Sequence, residues 1–259
     1  MSDSDVDVRG CKIHVQRGGK GEPLLFLHGA QGLAGWDAGL QALSQQFDVI
    51  APDLPGFGRS AASDNVDDVA DLAMFTFDLL DAMKIPRVHI AGECLGGWVA
   101  MEMAIRSTAR IATLSLNNSA GIRIKGAPRA DMFICGPDEL MGLLFANPAS
   151  GAAWQQQWQQ TPGHQDMAER NNGAAAKFCW QPRLANLKLD RWLHRIDVPT
   201  HIVWGDDDKV IPPAYGNELG RLIRGASLSI LPACGHVAHF EQPQALAAEI
   251  AGFVKRRTA

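Results

Sequence analysis

The run Ala91-Gly92-Glu93-Cys94-Leu95-Gly96-Gly97 passes from the end of an apolar, β-prone stretch straight into a pattern of helical length. A nucleophile between strand and helix must sit on a tight turn. Glycines two before and two after it keep side chains out of the way while helix and sheet close together. Cys94 therefore has the surroundings of a raised nucleophile. The helix start turns free amides and a positive dipole toward the sulfur, and the Leu95 amide is placed to donate to an oxyanion. The second donor of such a hole is expected from Leu25-Phe26-Leu27-His28-Gly29-Ala30-Gln31-Gly32, another strand opening into a glycine-bearing turn, through the amide of Ala30. His28 reads as a structural histidine that bonds neighbouring loops.

A proton shuttle and its orienting acid must come from later strand ends. Trp204-Gly205-Asp206-Asp207-Asp208 puts three carboxylates beyond one strand, and Cys234-Gly235-His236-Val237-Ala238-His239 puts two histidines beyond the next. The order nucleophile, acid, histidine suits a sheet whose active loops lie at its carboxyl edge, where imidazole takes the thiol proton and a carboxylate fixes its tautomer. The composition of the run does not choose among the three aspartates. A metal held by Asp206, Asp208, His236 and His239 lacks the ligand spacing of a closed zinc site. No glycine cluster ends in Gly-Lys-Ser/Thr, so neither is a phosphate loop. Asp53-Leu54-Pro55-Gly56-Phe57-Gly58-Arg59-Ser60 reads as a rigid turn near the site mouth, and Ser60 has no elbow around it.

These loops need a sheet to hold them. β-prone runs recur at Val6 to Val8, Ile13 to Gln16, Leu24 to Leu27, Val49 to Ala51, Val88 to Ala91, Ile111 to Leu116, Thr200 to Trp204 and Leu228 to Leu231. Helical patterns lie over Val66 to Met83, Leu95 to Ala109, Pro213 to Ile223 and Gln244 to Val254. Apolar strands without strict alternation imply helices on both faces, hence an α/β fold with a mostly parallel sheet and an antiparallel start. From 121 to 198 no good strand occurs, and Asp138 to Phe145, Gly151 to Gln160 and Gln165 to Phe178 are plausible helices. Such an interval exceeds any ordinary loop and predicts a helical cap inserted into a core formed by 1–120 and 199–259. Trp154 and Trp158 share a helix face there, and Trp180 lies before Pro182, so these aromatics are candidates for an apolar substrate pocket.

With 259 residues, 46 % of them apolar, the chain supports a large core, and a net charge of −4 offers no basic excess for nucleic acid. Five cysteines without a paired pattern argue against a disulfide framework. The polar, acidic first residues and the lack of a long apolar run predict a cytoplasmic protein without a membrane partner.

Taken together, His28-Gly29, Asp53 to Ser60, the elbow at Gly92 to Gly97, Trp204 to Asp208 and Gly235-His236 resemble, in order and over almost the whole chain, an α/β-hydrolase fold enzyme. The resemblance is to the compact capped group with meta-cleavage-product hydrolases, enol-lactone hydrolases and small esterases. It implies Asp208 as the acid and His236, after Gly235, as the histidine. The usual elbow residue is serine; cysteine here is similar to the elbow of dienelactone hydrolases. A cap arginine of meta-cleavage-product hydrolases has a loose counterpart in Arg170, whereas Glu93 and Val237 stand where that group commonly has asparagine and tryptophan. The expectation is a hydrolase without cofactor or metal, acting through Cys94, His236 and Asp208 on a small, partly apolar ester or lactone. Carbon–carbon bond hydrolysis, acyl transfer and ligand binding without catalysis are the alternatives.

Overall fold

Short runs of Val, Ile and Leu with no polar alternation fill the middle of one eight-stranded sheet in the computed structural model, which describes residues 1–258. The strands are β1 (Ser2–Val8), β2 (Cys11–Gly19), β3 (Pro23–Leu27), β4 (Asp48–Pro52), β5 (Val88–Glu93), β6 (Ile111–Asn117), β7 (Thr200–Gly205) and β8 (Ser227–Leu231). Their spatial order is β1-β2-β4-β3-β5-β6-β7-β8. β1 and β2 pair antiparallel, as do β2 and β4, and every later pairing is parallel. All parallel strands therefore deliver their carboxyl ends to one edge, where the turns singled out above meet.

β1 begins four residues earlier than its apolar part predicts. Its polar start is held by charge instead of burial: Asp5 pairs with Lys12 at 2.7 Å and Asp3 with His14 at 3.0 Å. One face of the sheet carries α2 (Val69–Ala82) and α3 (Leu95–Arg106); the other carries α1 (Ala38–Leu43) and α9 (Pro243–Thr258). Asp68 caps α2 by accepting the Asp71 amide at 2.9 Å, and Asp37 caps α1 by accepting the Leu40 amide at 2.9 Å. α7 (Ala214–Leu222) links β7 to β8, and the four-residue α8 (Ala238–Glu241) precedes α9.

Between β6 and β7 lie α4 (Pro137–Leu144), α5 (Pro148–Gln160), α6 (His164–Cys179) and two short 3-10 turns. α4 and α5 start on a proline, where the missing amide hydrogen costs nothing, and Asn147 caps α5. These helices rest on the carboxyl edge of the sheet. The Leu144 carbonyl accepts the His236 amide at 2.8 Å, and Asn171 bridges the Gln31 carbonyl at 2.9 Å and the Gly58 amide at 2.7 Å. Among the described residues no helix is long and apolar enough to cross a membrane.

Candidate active site

Cys94 occupies the turn between β5 and α3 with φ 49° and ψ −112°, a conformation that costs a non-glycine residue about 1–3 kcal/mol. Backbone bonds to β6, to the loop after it and to α3 hold it there: its amide donates to Asn117 O at 3.1 Å, and its carbonyl accepts from Trp98 at 3.1 Å and Ala120 at 3.0 Å. The flanking glycines are demanded by close approach. A Cβ at Gly96 would fall on the Leu27 carbonyl, and one at Gly92 on the Gly96 carbonyl. Across the cleft a Cβ at Gly29 would stand 3.2 Å from Cys94 Cβ, so the turn after β3 lies directly against the Cys94 turn.

The loops after β7 and β8 bring Asp208 and His236 to the same place. His236 Nδ1 lies 2.8 Å from Asp208 Oδ2, and both side chains are buried. Asp208 Oδ1 accepts the amides of Val210 at 2.9 Å and Ile211 at 2.8 Å, so the carboxylate is fixed before it meets the ring. Burial opposes charge on His236, but the Asp208 carboxylate and Cys94 outweigh it and lift its pKa well above the ordinary histidine value. Its Nε2 is buried and makes no hydrogen bond of good geometry among the described residues. Asp206 and Asp207 turn elsewhere: Asp206 accepts the Cys234 amide and Asp207 pairs with Lys209 at 3.1 Å.

A fourth side chain, absent from the sequence expectations, completes the group. Asn118 donates through Nδ2 to Asp208 Oδ2 at 2.7 Å and to the Gly235 carbonyl at 3.3 Å. Its φ of 45° lets it fold back over the end of β6. The polar run Asn117-Asn118-Ser119 at the end of an apolar strand was the available signal.

The amides of Ala30 and Leu95 donate to no protein acceptor among the described residues. Ala30 lines a cavity of about 20 Å³ together with Cys94, His236, Met132, Leu144 and Trp154. Of the proposed pocket residues only Trp154 reaches this cavity. Trp158 is packed with Ala34 and Met167 and lies 5.7 Å from the Trp154 ring. Trp180 is 43 % exposed and packs against Phe133 and Arg183 on the outside. Arg170 donates to the Ser60 carbonyl and lines a separate cleft, because α6 turns it toward the Asp53–Ser60 turn. Beyond Met132, which lines both spaces, opens a second cavity of about 800 Å³ bordered by Arg123, Arg129, Asp190 and Tyr215.

His28 sits between loops: its Nδ1 bonds the Gly29 carbonyl at 2.7 Å and its Nε2 accepts the Leu54 amide at 3.0 Å. Burial lowers its pKa, consistent with the neutral ring those bonds require. Glu93 is turned away from solvent onto His239, whose Nδ1 lies 2.8 Å from Glu93 Oε1 and whose Nε2 lies 3.1 Å from Asp37 Oδ2. No cluster of three or more metal-ligating side chains is arranged to hold an ion among the described residues.

The signature of the alpha/beta hydrolase family matches residues 24–249, six of the eight strands (β3 to β8) and every loop just described. The chain belongs to that family. This hydrolase is 31 % identical over 237 residues to a putative carbamate hydrolase, RutD, of Variovorax paradoxus, covering 83 % of the chain and 85 % of the relative. It is 28 % identical to a 2-hydroxy-6-oxo-6-phenylhexa-2,4-dienoate hydrolase of Comamonas testosteroni, covering 92 % and 90 %. A third relative, the dihydrolipoyllysine-residue acetyltransferase component of an acetoin cleaving system from Pseudomonas putida, is 30 % identical, and the chain spans 64 % of its length. Among solved structures, the hydrolase superposes on the enol-lactonase of Burkholderia xenovorans LB400 with a TM-score of 0.77 at 23 % identity, covering 97 % of this chain and 100 % of that one.

Proposed function

We propose that this hydrolase cleaves small carboxylic esters or lactones through an acyl intermediate on Cys94. The observation that carries the reading is the buried line Asp208, His236, Cys94, with one imidazole nitrogen tied to a fixed carboxylate and the other unpartnered in the cavity. His236 takes the Cys94 thiol proton as the sulfur attacks the substrate carbonyl carbon, and the Ala30 and Leu95 amides receive the oxyanion. As the intermediate collapses, His236 gives its proton to the leaving alcohol oxygen, and the acyl group stays on sulfur. Water, losing a proton to His236, then attacks the thioester; the acid departs and the proton returns to Cys94.

Residues 121–198 act in this reading as a cap that closes the chamber, with Trp154 against the acyl group and Met132 between the chamber and the wider cavity. The test is a panel of p-nitrophenyl esters, lactones and thioesters, with intact-protein mass spectra taken during turnover. Turnover with an acyl adduct on the Cys94 peptide is expected. Undiminished turnover by Cys94→Ala would remove the acyl-cysteine mechanism. A second reading, carbon–carbon bond hydrolysis of a vinylogous diketone, is supported by the similarity to the dienoate hydrolase; consumption of such a diketone with no ester turnover would favour it.

A further inference from the structure

Behind the nucleophile lies a second buried ionic group that the reaction above does not use. Asp37, Glu93 and His239 are all buried, and Glu93 and His239 border the same cavity as Cys94 and His236. We propose that His239 is a positioning residue: an imidazolium that clamps the oxyanion loop, the nucleophile turn and the histidine loop at one spacing. The inference rests on the reading of Cys94 and His236 as the reacting pair.

The geometry favours the charged ring. Glu93 approaches Nδ1 at 2.8 and 2.9 Å, and Asp37 approaches Nε2 at 3.1 Å. A neutral imidazole carries one N–H and would set a bare nitrogen against one of the carboxylates; only the doubly protonated ring donates to both. Burial disfavours charge on His239, yet Glu93 and Asp37 outweigh it and raise its pKa well above the usual value. With both nitrogens engaged, the ring is unavailable as a general base, leaving that role to His236.

Each contact belongs to a different functional loop. Glu93 precedes Cys94 in the chain and also accepts the His239 amide at 3.2 Å. Asp37 ends the loop that starts at His28 and caps α1 through its other oxygen. His239 stands three residues beyond His236, and the α8 backbone there comes so near α1 that a Cβ at Gly39 would strike the His239 carbonyl. Phe26 closes the ring at 5.3 Å. The other titratable groups around the clamp are neutral His28 on the β3 turn, Cys94 and His236 across the cavity with Asp208 behind them, the buried Cys234 thiol after β8, whose pKa burial and nearby carboxylates including Glu93 push up, and Glu241 on α8, which is occupied by the Gly235 and Asn147 amides. Losing the clamp lets the three loops separate, and a displacement near 1 Å between reacting groups costs on the order of 100-fold in rate.

The experiment compares the full-length parent with Asp37→Asn and Glu93→Gln. Asparagine caps a helix as well as aspartate, so Asp37→Asn removes charge and little else. Nitrogen-15 NMR of the histidine rings should show parent His239 doubly protonated at pH 7 and Asp37→Asn losing that proton at lower pH than the parent. With p-nitrophenyl acetate, kcat should fall about tenfold or more in both variants while KM stays within about twofold. The alkaline arm of the kcat profile should move to lower pH, and Asp37→Glu should recover part of kcat. A neutral His239 in the parent at pH 7, or an unchanged kcat in folded Asp37→Asn, would overturn the clamp. If the parent hydrolyses no ester, the ester reading alone fails; displaced His236 ring signals in Asp37→Asn still support the clamp, and unmoved signals overturn it. Should Glu93→Gln not fold, Asp37→Asn and the parent titration decide.

Discussion

At Asp208 the two carboxylate oxygens have separate tasks, one taking backbone amides and the other His236 and Asn118. Asp208→Asn keeps the shape but loses the charge that raises the His236 pKa, so kcat should fall about 10³-fold. The arm of the pH–rate profile that follows His236 should also move to lower pH, which a stopped-flow profile would measure. Asn118→Ala leaves the carboxylate with its backbone donors and a freer ring; a loss of about tenfold in kcat at unchanged fold is expected, corresponding to one charge-assisted hydrogen bond. Burial raises the thiol pKa of Cys11, Cys179 and Cys234, so iodoacetamide should label Cys94 ahead of these three, as peptide mass mapping would show. The placement of Cys94, Asp208 and His236 at one sheet edge could be read from the chain because each follows a strand in a distinctive run. Asn118 could not, since nothing in an asparagine beyond a strand says which loop it will reach.

At the scale of elements, α5 carries two indoles with different duties. Trp154→Ala should raise KM for bulky acyl groups more than for p-nitrophenyl acetate, because that ring meets the cavity. Trp158→Ala should leave selectivity alone and destabilise the protein by about 3 kcal/mol, measurable by urea unfolding, because its ring fills the seam with Ala34 and Met167. The β1–β2 ladder gives a pH-dependent counterpart. His14 lies 3.0 Å from both Asp53 and Asp3; burial opposes its charge, and these carboxylates raise its pKa above the usual value. A raised folded-state pKa means stabilisation that is complete below the unfolded value and lost as pH rises through the folded one. Asp3→Asn should therefore cost about 0.5 kcal/mol at pH 6 and less at pH 9, as paired urea titrations would reveal. Long apolar periods made the sheet, α2 and α3 readable. α1 and α8 escaped because six and four residues are too short to show a helical period.

For the molecule as a whole, the main organisation was visible in the sequence as α/β rhythm, interruption and resumption, but the chamber was not. Trp158, Trp180 and Arg170 have the chemistry of pocket residues, yet rotation of α5 and α6 on the sheet edge decides which side chains face Cys94, and local patterning carries no record of that rotation. Met132 sits where the two cavities meet. Met132→Ala should raise kcat/KM for long-chain esters several-fold over p-nitrophenyl acetate, read from parallel progress curves. A chamber of about 20 Å³ has room for about one water molecule and none for an ester beside it. Substrate entry in the proposed reaction therefore requires the lining to move, and movement of the interval over the sheet edge would be collective, through solvent, on the microsecond-to-millisecond scale. The turnover clock then belongs to friction as much as to bond making, and kcat for a fast-reacting ester should slow in proportion as sucrose thickens the medium, while a sluggish ester ignores it.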